Sequence, residues 1–467
     1  MTRFCCIIWL FSFAVWGGSR LVDSVPAMHG EVQSPQYPRP YPPNLMRQWD
    51  LWVPEGFQIQ LTLKHLDIKT SDGCHQDSLT VLYDQKVLGK FCGQGSSSNH
   101  PSKKPILSPG NRLTLIFQTS DSTPEQQQHI GFSATHKAIA THCGEPEPLL
   151  NGRVTFLSGS QNQYLSVIQY HCNEPFYYLA GDINATFTCQ ADGKWKSNHN
   201  SDVTPTCIPV CGQPTKSIVV YQRIIGGSDA PDNTIPWQVM LNLGRARGGG
   251  MIIADRWIMT AASVVSIRGV TASNDTVKIY TGVTDIKRDM SSPVYAASVH
   301  VHPQYNNDVD YNNDIALIKL RDPITFNSSV MPVCLPAAGA TYQTGTMGLV
   351  SGFGITKADD WRVMSIKLKY VYIPLVDQET CTNSVNLMRR NDRTGLTNNM
   401  FCAGLPEGGK DSCSGDSGGP FVLSDSGRYW AAGIVSWGFD CGQQGTYGVY
   451  TKVTNYLNWI HKTMQEN

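Results

Sequence analysis

At 467 residues the chain is too long for one ordinary hydrophobic core, and the usual ~100 to 200 residues per domain predicts about three. Its 37 Lys+Arg balance its 37 Asp+Glu, and only 16% of residues are charged. That excludes a global field drawing the protein to nucleic acid or an anionic membrane, so recognition must be local.

The first stretch, MTRFCCIIWLFSFAVWGGSR, has a basic residue at Arg3, an apolar run from Phe4 to Trp16 and then small residues. This pattern predicts a secretory signal peptide over residues 1–19. The run is shorter than the ~20 apolar residues that span a bilayer, and no later run reaches that length, so no membrane span is expected. Cys5 and Cys6 leave with the leader, and the remaining cysteines are even in number. In an oxidising compartment they predict disulfides, and no C-x-x-C spacing argues for zinc. Sequons at Asn184, Asn274 and Asn327 fit an extracellular glycoprotein surface.

From Met28 to His136, β-rich runs (FQIQLTLKHLDI, DSLTVLYD, RLTLIFQTS, HIGFSATH) alternate with Pro, Gly, Asn and Ser punctuation. Period-two runs between turn signals predict an all-β sandwich, with Cys74 and Cys92 placed to clip neighbouring strands. The phrases GEVQSPQYPRPYPPN, WVPEGFQIQLTLKHLDI and KFCGQ resemble the first CUB domain of the complement serine proteases, here over residues 24–138. The resemblance implies a calcium site of one Glu and two Asp. Asp77 and Asp121 match, but Lys69 occupies the glutamate position. A cation among hard oxygen ligands repels calcium, so a site that is weak or absent is expected, with Asp67 and Asp72 the nearby acids able to compensate in part.

Residues 141–209 carry four cysteines in CGEPEPLLNGRVTF, YHCNEPFYY, TFTCQADGKWK and PTC, which permit three pairings. The segment resembles a complement control (sushi) module. That resemblance selects Cys143 with Cys189 and Cys172 with Cys207, and it makes Trp195 the buried core tryptophan. A module this small buries little surface, and two staples suit it.

A linker over residues 210–223 leads to IIGGSDA and a β-rich segment, residues 224–467. The segment ends in YTKVTNYLNWIHKTM, where Val453, Tyr456, Leu457 and Ile460 follow helical spacing. With DSCSGDSGGP, VSWG and GVYTKV, it resembles a chymotrypsin-like peptidase domain. The expected fold is therefore an all-β multidomain chain: CUB β-sandwich, sushi module and chymotrypsin-like double β-barrel with a C-terminal helix.

Acyl transfer to water needs a nucleophile, a base, a group orienting that base and two oxyanion donors. GDSGGP supplies Ser417 as nucleophile, with the backbone N–H groups of Gly415 and Ser417 as donors. The resemblance implies that Asp411 floors a pocket for Arg or Lys side chains, which Ser436, Trp437, Gly438 and Gly448 line. It further implies activation by cleavage after Arg223, the new amine of Ile224 pairing with Asp416. Cys211 would join Cys334, with Cys381–Cys402 and Cys413–Cys441 completing the domain. Asp314, in DIALIKL, matches the acid that orients the base.

The base itself is missing. In DRWIMTAASVVS, Ser263 occupies the place of the family's histidine, and a serine hydroxyl is too weakly basic near pH 7 to take a proton from Ser417. Loss of one triad member costs on the order of 10⁴ to 10⁶ in turnover. His300 and His302, in ASVHVHPQY, are the other histidines weighed for the role. RARGGGMIIADRWIMTAAS, NNMFCAGLPEGGKDSCSGDSGG, LVSGFGI and AAGIVSWG resemble the r and s subcomponents of the first complement component and, more remotely, haptoglobin. One CUB passing straight into one sushi module is similar to the shortened r-subcomponent-like branch. The resemblance implies a secreted complement-protease homologue of innate immunity, a silenced pseudoenzyme that acts by binding; the alternative is an active trypsin-like endopeptidase. Expected partners are secreted or plasma proteins, among them complement proteases and collagen-like recognition proteins. No cofactor is required.

Overall fold

A computed structural model of the chain describes residues 27–95, 104–121, 128–159, 161–181, 185–199, 201–218, 227–244, 246–290, 292–306, 308–355, 364–389, 393–409, 412, 415–439 and 441–467. The leader, Asn184, Arg223, Ile224, Asp411 and Cys413 lie outside these residues. The chain divides into two compact units.

The first unit contains the CUB-like segment, a sandwich of two four-stranded antiparallel sheets. One sheet runs His29–Gln33, Gly131–Ala140, Phe57–Asp67, Ile106–Leu107; the other runs Met46–Trp52, Arg112–Gln118, Ser78–Tyr83, Lys86–Phe91. The period-two pattern decides which face is inside. In Arg112–Gln118 the side chains of Leu113, Leu115 and Phe117 are buried while Arg112 and Gln118 are exposed. In LTLKHLDI the apolar phase slips by one residue after Leu63. The strand takes up the slip with a bulge between Leu63 and His65, which returns Leu66 to the core. Edge-on contacts of Tyr41 and Phe132 with Phe117, centroids 5.1 and 5.5 Å apart, knit the core. A disulfide joins Cys74 to Cys92.

The sushi-like segment has a four-stranded sheet (Trp195–Ser197, Thr186–Cys189, Val167–Cys172, Gly152–Ser158) and a two-stranded one (Tyr177–Leu179 with Cys207–Pro209). Disulfides join Cys143 to Cys189 and Cys172 to Cys207. Trp195 is half-buried rather than fully buried: its indole N–H donates to the Gly144 carbonyl at 3.1 Å, and its ring meets the exposed Phe156 edge-on. The closed interior is filled instead by Ile168, Tyr170 and Phe187.

The second unit takes in the end of that module and the peptidase-like segment. Tyr177 stacks on Phe326 at 5.7 Å, and the disulfide Cys211–Cys334 closes the junction. Beyond it, Gln238–Asn242, Arg247–Ala254, Trp257–Thr260, Ala316–Leu320, Val294–Val301 and Lys278–Thr281 close a six-stranded barrel. Ser228–Asp229, Lys369–Pro374, Met347–Gly352, Pro420–Asp425, Arg428–Gly438, Gly448–Lys452 and Met400–Ala403 form a seven-stranded antiparallel sheet. The chain ends in a 3-10 turn, Val453–Tyr456, and a helix, Leu457–Glu466; Val453, Tyr456, Leu457 and Ile460 are all buried. No helix among the described residues is long and apolar enough to cross a membrane.

Candidate functional site: a buried acid held by two serines

Strand Trp257–Thr260 runs fully buried through the barrel wall and ends in a four-residue helix, Ala262–Val265, which presents Ser263. Asp314 follows a tight turn at Asn313, a buried residue at φ 59° whose amide donates to the Gln304 carbonyl and accepts from Tyr456 and Asn399. The two meet squarely. The Ser263 N–H donates to Asp314 Oδ1 at 2.7 Å, and the Ser263 hydroxyl donates to Oδ2 at 2.9 Å. The Ser436 hydroxyl, from the seven-stranded sheet, donates to the same Oδ2 at 2.5 Å.

Asp314 is fully buried. Burial pushes its carboxyl above the ordinary aspartate range, and the hydrogen bonds from Ser436, Ser263 and the Ala262 N–H oppose that rise without cancelling it. No cation stands against it among the groups that shift it. The acid is held and aimed, but what it holds is a hydroxyl. Tyr305 flanks Ser263; burial first, then the Asp314 charge, push its phenol far above the usual value.

Ser417 lies on the loop before strand Pro420–Asp425, braced from the barrel by the Gly249 N–H, which donates to the Ser417 carbonyl at 2.8 Å. Gly415 sits at φ 98°, a conformation L side chains rarely adopt. Asp416 accepts the Gly354 N–H at 2.8 Å in a cradle of glycines: a Cβ at Gly352 would lie 2.0 Å from its Oδ1, and one at Gly354 2.6 Å from its Cγ. LVSGFGI carries that cradle, and glycines closing a strand are the signal of close backbone approach.

The remaining expectations fall as follows. Ser436 is buried and its hydroxyl serves Asp314. Trp437 stacks on Tyr311 at 6.0 Å, and Gly438 pairs in register with Gly448, leaving that edge free of side chains. His300 packs beside Trp257 and contacts Ser298 at 2.7 Å; His302 packs against Tyr456 and Trp459. Burial lowers the affinity of both imidazoles for protons. Cys381 is joined to Cys402, and Cys441 is disulfide-bonded. Asn327 is exposed and caps its own turn, its Oδ1 accepting the Ser329 and Val330 N–H groups; the exposed Asn274 donates its amide to the Ala297 carbonyl.

In the CUB-like segment the acids matched to a calcium site are hydrogen-bonded within the protein. Asp77 is buried, its Oδ2 taking the Tyr41 hydroxyl at 2.8 Å and its Oδ1 the Ser120 N–H and hydroxyl. Asp121 accepts from Asn44 at 2.9 Å, and the Lys69 N–H donates to the Tyr41 hydroxyl at 3.0 Å. Asp67 is engaged by His129, Gln94 and the Ile130 N–H.

A closed barrel and a partner sheet, meeting at an Asp314–Ser263 pair beside a Ser417 loop, define a chymotrypsin-type serine-peptidase domain behind two β-modules. Residues 224–460 match the trypsin family, residues 22–136 the CUB domain and residues 143–207 the sushi (SCR) repeat. The chain is 32% identical to mouse complement C1s-1 subcomponent over 527 residues, covering 95% of this chain and 73% of that protein. It is 33% identical to human complement C1r subcomponent-like protein over 450 residues, covering 93% and 89%. It is also 33% identical to mouse complement C1r-A subcomponent over 515 residues, covering 93% and 71%. The chain belongs to the complement serine-protease family, with a trypsin-type peptidase domain homologous to the C1r and C1s subcomponents.

Proposed function

We propose that this protein is a secreted complement-type homologue whose peptidase domain is silent and works by binding, with Asp411 and the Gly438–Gly448 edge receiving a basic side chain. The reading rests on one observation: both oxygens of Asp314 are taken by Ser263, whose hydroxyl cannot draw a proton from Ser417 near neutral pH. Secretion is supported by the leader-like first residues and by kinship with complement proteins. Partners in this reading are secreted or plasma proteins, including complement proteases and collagen-like recognition proteins.

A second reading has independent support. A hamster relative, 33% identical over 524 residues, is a calcium-dependent serine proteinase, and Ser417, Asp314 and the glycine-lined loop are all present here. Kinship with named proteinases favours an active trypsin-like endopeptidase, released by cleavage after Arg223. One experiment separates the two. The mature chain is cleaved after Arg223, Ile224 is verified as the new N-terminus, and arginine-ester hydrolysis is compared with that of Ser263→His. Turnover by the variant alone supports the silent reading; equal turnover by the natural chain refutes it.

A further inference from the structure

Modules strung along one chain move independently by default, because a few linker residues between them are free to change φ and ψ. The passage from the CUB-like to the sushi-like segment is built otherwise. Strand Gly131–Ala140 runs to its last pair, Ala140 opposite Phe57, and Thr141 follows at once. The Thr141 N–H donates to the Gly56 carbonyl at 2.9 Å, on the CUB-like side, and the Thr141 carbonyl accepts the Tyr164 N–H at 2.8 Å, on the sushi-like side. A single buried residue is therefore bonded to both segments. His142 then bridges Gln163, and the Cys143 N–H donates to the Asn162 carbonyl at 2.8 Å. Each residue from Ala140 to Cys143 is held by a backbone partner, which leaves no turn of chain to act as a hinge.

Side chains close the same joint. Gly56 stands at φ 84° with the Tyr164 ring laid over it, and a Cβ at this position would overlap the ring. Tyr164 also meets Phe57 edge-on, centroids 6.1 Å apart. The sushi-like turn at Gly193 covers the linker, where a Cβ would touch Thr141 Cγ2 at 3.6 Å. The CUB-like segment and residues 153–171 and 183–205 of the sushi-like segment accordingly fall in one compact unit.

We propose that the CUB-like segment and the four-stranded sheet of the sushi-like segment form one rigid arm, with Tyr164 on Gly56 as the latch that fixes its angle. A hydrogen-bonded linker alone can still twist about its strand axis; the ring seated on the glycine removes that freedom. The consequence for recognition is fixed reach and orientation. A partner that touches both segments meets them already ordered, without the entropy loss of ordering two tethered modules. No residue of the latch belongs to the peptidase-like segment, so the arm is independent of Ser263 and of cleavage after Arg223.

The test uses the full mature chain with nitroxide labels on Val87→Cys and Leu157→Cys, both exposed, and reads the distance between them by double electron–electron resonance. The natural joint is expected to give one narrow distribution. Gly56→Val drives a side chain into the Tyr164 ring, whereas Tyr164→Ala removes the ring and leaves the CUB-like backbone as it is. Each is expected to broaden the distribution about twofold or more, toward the motion of modules on a free linker. Gly95→Val, at an exposed position where a Cβ meets nothing within 4 Å, is expected to leave the width unchanged. A broad distribution with the natural joint, an unchanged width in Gly56→Val or Tyr164→Ala, or equal broadening by Gly95→Val would each overturn the proposal.

Discussion

The barrel and the seven-stranded sheet contribute opposite halves of one candidate site, and the two halves differ. The sheet half carries Ser417, Gly415 at its positive φ, and Asp416 in a cradle where glycines at 352 and 354 leave it room. In the barrel half the helix Ala262–Val265 and the turn at Asn313 bring Ser263 against Asp314, and under the proposed silent reading that half keeps the geometry without the base. Geometry of this kind is held by backbone and burial. Here the Ser263 and Ser436 hydroxyls satisfy the buried acid. An unpartnered carboxylate there would carry the full cost of desolvation.

Restoring the base is the change expected to matter most. Ser263→His, after cleavage at Arg223, is expected to raise arginine-ester turnover by about 10⁴-fold or more over the natural chain, read as initial rates with active-site titration. A rise of less than tenfold would mean that the sheet half is also impaired, and the contrast between halves would fail.

The next largest effect strikes the sheet half. Gly352→Ala drives a methyl into Asp416 and is expected to cost on the order of 1 to 3 kcal/mol by denaturant unfolding. In the Ser263→His background it should also lower turnover if the loop carrying Gly415 and Ser417 supplies the oxyanion donors, because Asp416 lies in that loop. Unchanged stability and rate would show that the cradle yields more easily than its contacts imply.

Ser436→Ala removes the 2.5 Å bond to Asp314 from a buried site and is expected to cost about 1 to 2 kcal/mol. Because that bond lowers the Asp314 pKa, its loss moves the carboxyl still higher.

The smallest effect is a slope. The Asp314 carboxyl is raised in the folded state, so the folded chain keeps that proton to higher pH than the unfolded chain. Its contribution to stability is present below the ordinary aspartate value and is lost as pH rises through the folded value. Asp314→Asn cannot ionise, so the natural chain should lose stability relative to this variant from about pH 4 upward. Parallel Tm profiles for the two proteins across acidic and neutral pH would contradict the direction given for Asp314.

Much of this was readable along the chain. The period-two runs of the CUB-like segment anticipate its strands, and even the bulge is visible as the slip in LTLKHLDI. The terminal helix follows its 3.6-residue spacing, apart from a first turn wound as 3-10. The full burial expected of Trp195 was not met, because residue type and position carry no information about how much volume a small module can enclose.

The sequence by itself determined the order of modules, the residue types at Ser417, Asp314 and Ser263, and the absence of a histidine where the family resemblance calls for one. Only the tertiary structure decided what those residues do to each other. Ser263 and Asp314 are 51 positions apart, and Ser436 is 122 from Asp314, yet all three share one buried carboxylate. The same holds for Gly354 and Asp416, 62 positions apart, and for the two histidines, which the fold packs against aromatic rings. The physical reason is common to all of these. Local sequence sets backbone propensity and the period of burial, whereas the partner of a buried polar group is chosen by whichever distant strand arrives beside it.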